Sequence, residues 1–185
     1  VIAIDGLRAD SLGVFGGQIG TPNFDRLAAQ SHYFKWSFAQ AADPAASFAA
    51  LMTGLYPTTS GVVEAGDRLP DEAATLAESL SNAGITTAAF IEGAPDGDDF
   101  GLAQGFDEFN MSSTAGSDAG QWLANRPEGE FLLVLRGWSV GLNFSPGAVG
   151  AEAPEGFFDR VQQVLASDFT DQPLAFDAAD LEYIK

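Results

Sequence analysis

The stretch from Ala42 to Pro57, ADPAASFAALMTGLYP, holds the residues best placed to supply a nucleophile. It predicts a loop running into a short helix that ends at a glycine turn, and the amides at a helix N-terminus attract anions. Two groups here could attack an ester, the carboxylate of Asp43 and the hydroxyl of Ser47. Each has a structural alternative: Asp43, before a proline, suits a turn or N-cap, and Ser47 suits capping or packing.

Asp5 is the candidate for binding a cation. It ends the continuous apolar run VIAID, Val1–Asp5, which predicts a buried strand of a parallel sheet. A carboxylate at the end of such a strand is costly to bury unless it has a partner. Asp5 could ligate a cation, or it could be held by Arg8 or by backbone amides, and the sequence leaves these alternatives open.

A second group of carboxylates, in PDGDDFG, is spaced in a way that is similar to a calcium loop. Its members are Asp96, Asp98 and Asp99. The segment lacks the later bidentate glutamate of an EF-hand, so a solvated acidic loop is the favoured interpretation.

The numbers of cysteine and histidine residues exclude several kinds of metal and catalytic site. The chain has no cysteine, which rules out disulfides, thiolate zinc sites and a cysteine nucleophile. Its single histidine, His32, lies in a predicted strand far from the other candidates and is expected to be a surface or half-buried residue. No pair of histidines can therefore act as general acid and base within this chain.

The charge balance limits the partners. The chain has 185 residues, enough for one domain with a sizeable core, and 26 acidic residues against 8 basic ones give a net charge of −18. Such a surface argues against nucleic acid and anionic membranes, because little basic charge is present to neutralise phosphates. No apolar run is long enough to span a bilayer, so membrane insertion is not expected. The acidity favours solubility, for example in a saline setting, with cation binding as the alternative.

The pattern of elements predicts an α/β domain with a mainly parallel sheet, whose site lies beyond the carboxyl ends of the strands. Strands are predicted at Val1–Asp5, His32–Gln40, Thr86–Ile91 and Glu130–Trp138. Helices are predicted from Thr21–Pro22 through Ala28, from Pro70–Asp71 to Gly84, over Ser117–Asn125, around Phe157–Leu165 and from Asp177. Loops are predicted over 92–105 and 143–156.

Five segments in order resemble the sulfatase branch of the alkaline phosphatase superfamily. They are VIAIDGLRADSLGVFGG, TPNFDRLAAQS, MTGLYPTTSGV, LPDEAATLAESLSNAGITTAAF and GLAQGFDEF, and they cover about the first 110 residues. The resemblance implies an alkaline phosphatase-like three-layer sandwich with a mainly parallel sheet, of which this chain is the N-terminal part. Residues 1–185 are then one sulfatase-like domain, incomplete at both ends.

The resemblance also implies a metal-binding centre. Members of the family bind a divalent cation, usually calcium, through carboxylates, and Asp5 matches the first of these, although Gly6 stands where a second aspartate often follows. Arg8 and Asp10 match the family too, and a salt bridge or cap that pins the first loop is their favoured role. The resemblance further implies the periplasm or the exterior of the cell.

The catalytic motifs depart from the family pattern. On the pattern of Cys or Ser, any residue, Pro, Ser, Arg, the nucleophile position falls on Pro44, which has no nucleophilic atom, and only Ser47 matches. Ala46 and Phe48 stand at the Pro and Arg positions. In the loop after the last predicted strand both histidine positions are replaced; the positions of that pattern fall on Arg136, Ser139, Val140, Gly141, Asn143 and Phe144.

Two hypotheses follow. The favoured one is a sulfatase-like domain that has lost catalysis and has a structural or binding role, with a protein partner or the remainder of the same domain. The alternative is an active metal-dependent hydrolase of small sulfate or phosphate esters. It would use Asp5 as metal ligand and Asp43, Ser47 or metal-bound water as nucleophile. The first is favoured because positions needed for folding are kept while those needed for chemistry are lost.

Overall fold

A computed structural model describes residues 1–17, 20–64, 66–93, 99–126 and 128–137, all within one compact unit, Val1–Gly141. A second unit, Leu142–Lys185, lies outside the described residues. The strands are β1 (Ile2–Ile4), β2 (Thr86–Glu92), β3 (Glu108–Ser112) and β4 (Phe131–Gly137). The helices are α1 (Pro22–Ala29), α2 (Pro44–Thr53), α3 (Pro57–Ser60), α4 (Leu76–Asn82) and α5 (Ala115–Asn125). Two short 3-10 turns, Ala9–Ser11 and Gly13–Phe15, follow β1.

The described strands form one parallel sheet in the order β1–β4–β2–β3. This confirms the expected α/β class and the parallel sheet. β2 and β4 lie in the middle of the described sheet, whereas β1 lies at an edge and its Ile2 is 68% exposed. The expectation that β1 is buried on both faces is therefore wrong within the described residues, because β4 is its only neighbour there.

Helices cover both faces of the sheet, so the layers are helix, sheet, helix. Strand residues alternate between two clusters because successive side chains point to opposite faces. One face packs on α2 and α4 and the other on α5. The first cluster includes Phe48, Met52, Ala77, Ile91 and Val134, and the second includes Ala88, Phe90, Ala115, Ala119 and the partly buried Trp122.

Helix α2 begins where the sequence predicts. Asp43 is its N-cap, with Oδ1 accepting a hydrogen bond of 2.9 Å from the amide of Ala46, and Pro44 occupies the first helical position. The helix ends at Gly54, whose φ of 70° is left-handed. Its alanine-rich buried side lets it lie close to the sheet.

Helix α4 begins later than predicted. The expected start at Pro70–Asp71 is wrong, and the first helical residue is Leu76. The reason is a capping box, in which Thr75 Oγ1 accepts from the Glu78 amide and Glu78 Oε2 accepts from the Thr75 amide. The Thr75 amide donates to Glu78 rather than to the Asp71 carbonyl four residues earlier, which accepts from Gln104 Nε2 at 3.0 Å.

The predicted strand His32–Gln40 is wrong: the structure has turns and irregular backbone there. An alternating pattern becomes a strand only when a neighbouring strand supplies backbone partners, and no described strand pairs with this segment. Its aromatic side chains are exposed to solvent, by 55% for Tyr33 and 79% for Trp36.

The other boundaries agree with the sequence to within a few residues. The helix from Pro22 and the strand over Thr86–Ile91 are confirmed, and the helix expected over Ser117–Asn125 begins at Ala115. β3 was not predicted. The loop 143–156 and the helices around Phe157–Leu165 and from Asp177 lie outside the described residues. Within the described residues, no helix is long and apolar enough to cross a bilayer.

Candidate functional site

The candidate site lies where β1 and β4 end side by side. Ile4 pairs with Gly137, and the amide of Asp5 continues the ladder by donating to the Gly137 carbonyl at 2.8 Å. This register places the side chain of Arg136 next to that of Asp5. Arg136 Nε donates to Asp5 Oδ2 at 3.0 Å, and an Nη atom of the same guanidinium forms an ion pair with that oxygen at 2.9 Å. Asp5 is thus at the carboxyl edge of the sheet, as the sequence predicts, with a guanidinium as its partner.

The ion pair is shielded from water. The side chain of Arg136 is 9% exposed and that of Asp5 17%. The guanidinium carbon also lies 4.9 Å from the ring centroid of Phe48, a buried residue of α2. A cation over an aromatic face is attracted to the ring quadrupole. Arg136 therefore connects the end of β1 to the first half of α2.

A second carboxylate ends the neighbouring strand β2. A Cβ built on Gly137 would lie 3.1 Å from Glu92 Oε2, so the absence of a side chain at Gly137 leaves room for this carboxylate beside the end of β4. The pattern TTAAFIE repeats that of VIAID, an apolar run followed by an acid. This repetition is the signal in the sequence that could have identified Glu92.

A cavity of about 400 Å³ opens on the side of the sheet where α5 begins. Its apolar floor is made by Ile2, Ile4 and Leu135. Glu92 and the first turn of α5, with Thr114 and Ser117, complete the lining. The cavity adjoins the ends of the same strands that carry Asp5 and Arg136.

The nucleophile candidates lie at the start of α2. Asp43 is half-buried and its Oδ1 caps the helix, which agrees with the cap interpretation. Ser47 is half-buried, and its amide donates to the Asp43 carbonyl as part of the first helical turn. Pro44, at the family's nucleophile position, is the first residue of the helix.

The remaining candidates have local partners or none near this edge. Arg8 does not bind Asp5 but forms an exposed salt bridge with Asp10, one of the two contacts expected for this pair. The salt bridge lowers the pKa of the Asp10 carboxyl. Asp99 accepts from the Gly101 amide and pairs with Arg68. His32 is exposed.

Several positions named from the sequence lie outside the described residues. They are Asp96 and Asp98 of the acidic loop and Ser139, Val140, Gly141, Asn143 and Phe144 of the loop after β4.

A divalent cation does not fit the described residues well. Calcium takes six to eight oxygen ligands, and magnesium demands six in near-ideal geometry. No group of three or more carboxylate or histidine side chains among the described residues is placed to hold a metal ion. Asp5 Oδ2 already accepts a hydrogen bond from Arg136 Nε and lies 2.9 Å from an Nη atom of the same guanidinium, whose positive charge would repel a cation bound to this oxygen.

The parallel sheet between helices and the carboxylate at the end of its first strand define an α/β protein of the alkaline phosphatase type. The family model described as Sulfatase matches residues 1–176. The chain therefore belongs to the sulfatase family, whose members are metal-dependent. No curated protein gave a significant match.

Solved structures support the fold. One is a protein in complex with its substrate D-glucosamine-2-N,6-O-disulfate, similar with a TM-score of 0.68 and 19% identity over 85% of this chain. The phosphonate monoester hydrolase of Agrobacterium radiobacter has a TM-score of 0.63 at 18% identity over 88% of this chain. An alkaline phosphatase superfamily protein from Vibrio parahaemolyticus has a TM-score of 0.54 at 18% identity over 99%. The matches cover 39%, 47% and 46% of those chains.

Proposed function

We propose that this chain is a sulfatase-family domain that has lost ester hydrolysis and has a structural or binding role. The observation that carries the proposal is the shielded ion pair between Asp5 and Arg136. In this arrangement the carboxylate that the family resemblance assigns to a metal is neutralised by a side chain of the same chain. A centre without net positive charge gives little help to an anionic ester, which must be neutralised before attack.

The start of α2 supports the same proposal. An attacking group at a helix N-terminus needs a free nucleophilic atom directed at the substrate. Pro44 has no nucleophilic atom, and one carboxylate oxygen of Asp43 accepts a hydrogen bond from the Ala46 amide. The helix is intact and well capped, so this part of the sequence is explained by folding alone.

The binding part of the role is supported by the segment from Tyr33 to Phe38. Exposed aromatic side chains grouped in one segment often mark interaction surfaces. Four large side chains here are between 55% and 79% exposed: Tyr33, Phe34, Trp36 and Phe38. The partner we propose is a protein or the remainder of the same domain. Nucleic acid remains unexpected because of the net charge of −18, and membrane insertion because no apolar run is long enough to span a bilayer.

The alternative is an active hydrolase of small anionic sulfate or phosphate esters with calcium at Asp5. It draws support from the position of Asp5 at the carboxyl end of β1, where the family resemblance implies a metal ligand. It requires the carboxylate to leave Arg136. For either function we propose the periplasm or the cell exterior, on the strength of the family alone.

Hydrolysis assays separate the two functions. The wild type and Asp5→Ala are incubated with aryl sulfate, phosphate and phosphonate esters, in calcium and in chelator, after circular dichroism confirms that both are folded. We expect no product above that of the variant. Turnover that disappears in Asp5→Ala would establish the hydrolase.

The binding role makes a separate demand. The backbone amides of residues 32–40 should be protected from hydrogen exchange when the protein is bound to its partner in its natural complex. Unchanged exchange of this segment would leave the domain without the binding role that we propose for it.

A further inference from the structure

We propose that the guanidinium of Arg136 takes, in this chain, the place of the divalent cation at Asp5. The proposal goes beyond the loss of catalysis, because an inactive domain could still bind a metal. It states that the counter-ion of Asp5 is built into β4 and that the fold does not depend on calcium.

The guanidinium of Arg136 lies against one oxygen of the Asp5 carboxylate. Arg136 Nε donates to Asp5 Oδ2 at 3.0 Å, and an Nη atom lies 2.9 Å from the same oxygen. A guanidinium is planar, keeps its charge at every accessible pH and offers its donors in a fixed fork. A cation bound to this carboxylate oxygen would displace the guanidinium from it and would also face the positive charge at close range.

The position of Arg136 is fixed on both sides. The pairing of β4 with β1 and β2 sets its backbone, with Ala3 opposite on one side and Ile91 on the other. The ring of Phe48, which is 4% exposed, lies 4.9 Å from the guanidinium carbon. Moving the side chain away would break the cation–π contact, expose the ring and leave a shielded carboxylate without a partner. A calcium ion would have to compensate for all three.

The residues around Asp5 offer few ligands for a divalent cation. Calcium needs several oxygen ligands, and the described residues offer no cluster of three carboxylates or histidines. The charge of a single guanidinium, by contrast, is balanced by a single carboxylate. The residues near the ends of β1 and β4 therefore fit an arginine better than a divalent ion.

The test compares the wild type, Asp5→Asn and Arg136→Gln. Calorimetric titration measures the calcium binding of each protein, and the melting temperature of each is measured in calcium and in chelator. We expect the wild type and Asp5→Asn to be equally indifferent to calcium. We expect Arg136→Gln to melt below the wild type in chelator, because its carboxylate has lost its counter-ion, and calcium to restore little of that loss, because the described residues offer no cluster of further ligands.

Two results would overturn the proposal. One is saturable calcium binding by the wild type that is lost in Asp5→Asn. The other is an Arg136→Gln variant that melts with the wild type in chelator, since Arg136 would then not be the counter-ion of Asp5. If Arg136→Gln does not fold, Arg136→Lys, which keeps the positive charge, is measured with it; an Arg136→Lys variant that also fails to fold would count against the charge as the contribution of Arg136. Arg8→Gln, which breaks an exposed salt bridge, is the matched control and should behave as the wild type.

The outcome is separable from that of the proposed function. Calcium binding at Asp5 without turnover would overturn this inference and leave the loss of catalysis standing. Turnover without any calcium effect would do the reverse. Calcium-dependent turnover lost in Asp5→Ala would overturn both.

Discussion

Asp5 and Arg136 are 131 residues apart in the sequence and form an ion pair of 2.9 Å at the adjacent ends of two parallel strands. Removing one member of a buried pair costs about 3–5 kcal/mol, because a charge is left without compensation, whereas removing both costs much less. The stability of the fold therefore depends on Asp5 and Arg136 being present together.

Phe48 should matter through its contact with Arg136 as well as through packing. Phe48→Ala is expected to lower the free energy of unfolding by about 3–5 kcal/mol, from the lost packing of a buried aromatic side chain together with the lost cation–π contact. Leu51→Ala on the same helix is the control, because Leu51 is 56% exposed. Urea denaturation measures both, and equal losses would contradict the burial of Phe48 against Arg136.

Asp43 should act as a helix cap. Asp43→Ala is expected to destabilise by about 1 kcal/mol, because the Ala46 amide loses its acceptor, while Asp43→Asn, which keeps an oxygen acceptor, stays close to the wild type. Chemical denaturation compares the two. A loss in Asp43→Asn as large as in Asp43→Ala would mean that the charge, rather than the cap, is what Asp43 supplies.

Asp107 should make stability depend on pH. Its carboxylate accepts from the Thr87 amide at 2.8 Å and from the Ser81 hydroxyl at 3.0 Å, and these bonds, that of Thr87 foremost, lower its pKa below the usual value of 3.8. Because the folded-state pKa is lowered, the unfolded state binds more protons at acidic pH. The stabilisation is fully present above the unfolded-state pKa and is lost as pH falls through the lowered folded-state value.

Melting curves of the wild type and Asp107→Asn across this acidic range test the sign. The wild type should be the more stable at neutral pH, and the difference should shrink as the solution is acidified through the aspartate range. A difference that grows on acidification would contradict the assignment.

Gly105 should tolerate no side chain. A Cβ there would lie 2.3 Å from the amide nitrogen of Glu78 in the first turn of α4, and its φ of 83° is left-handed. Gly105→Ala is expected to destabilise by more than Gly84→Ala, where φ is 81° but nothing lies within 4 Å and only the backbone cost of about 1 kcal/mol applies. Thermal melting ranks them, and equal effects would contradict the position of α4 against the 101–105 turn.

The sequence predicts the middle of the sheet well because β2 and β4 are apolar runs of 7 residues, a length typical of a buried strand and short for a helix. It fails at His32–Gln40, where alternation alone suggested a strand although pairing depends on residues far away in the chain. It also misplaces the start of α4, because the capping box of Thr75 and Glu78 and the hydrogen bonds of Gln104 hold the preceding residues in a turn.

The site is predicted in part. Asp5 at the end of β1 follows from the sequence, but its partner does not. Arg8 was the nearest basic residue in the sequence, whereas Arg136 is the nearest in space, because parallel strands bring their carboxyl ends together whatever their separation along the chain. The separation of residues along the chain does not reveal the strand register that pairs Ile4 with Gly137.

The most direct test is a double-mutant cycle on Asp5→Asn and Arg136→Gln, with the free energy of unfolding measured by urea in the presence of chelator. If Asp5 is neutralised by Arg136, each single variant should be destabilised and the double variant should be more stable than the sum of the single losses predicts, with a coupling above about 1 kcal/mol. Additive losses, with a coupling near zero, would mean that Asp5 and Arg136 are independent, and would contradict the self-neutralised centre from which the loss of catalysis is argued.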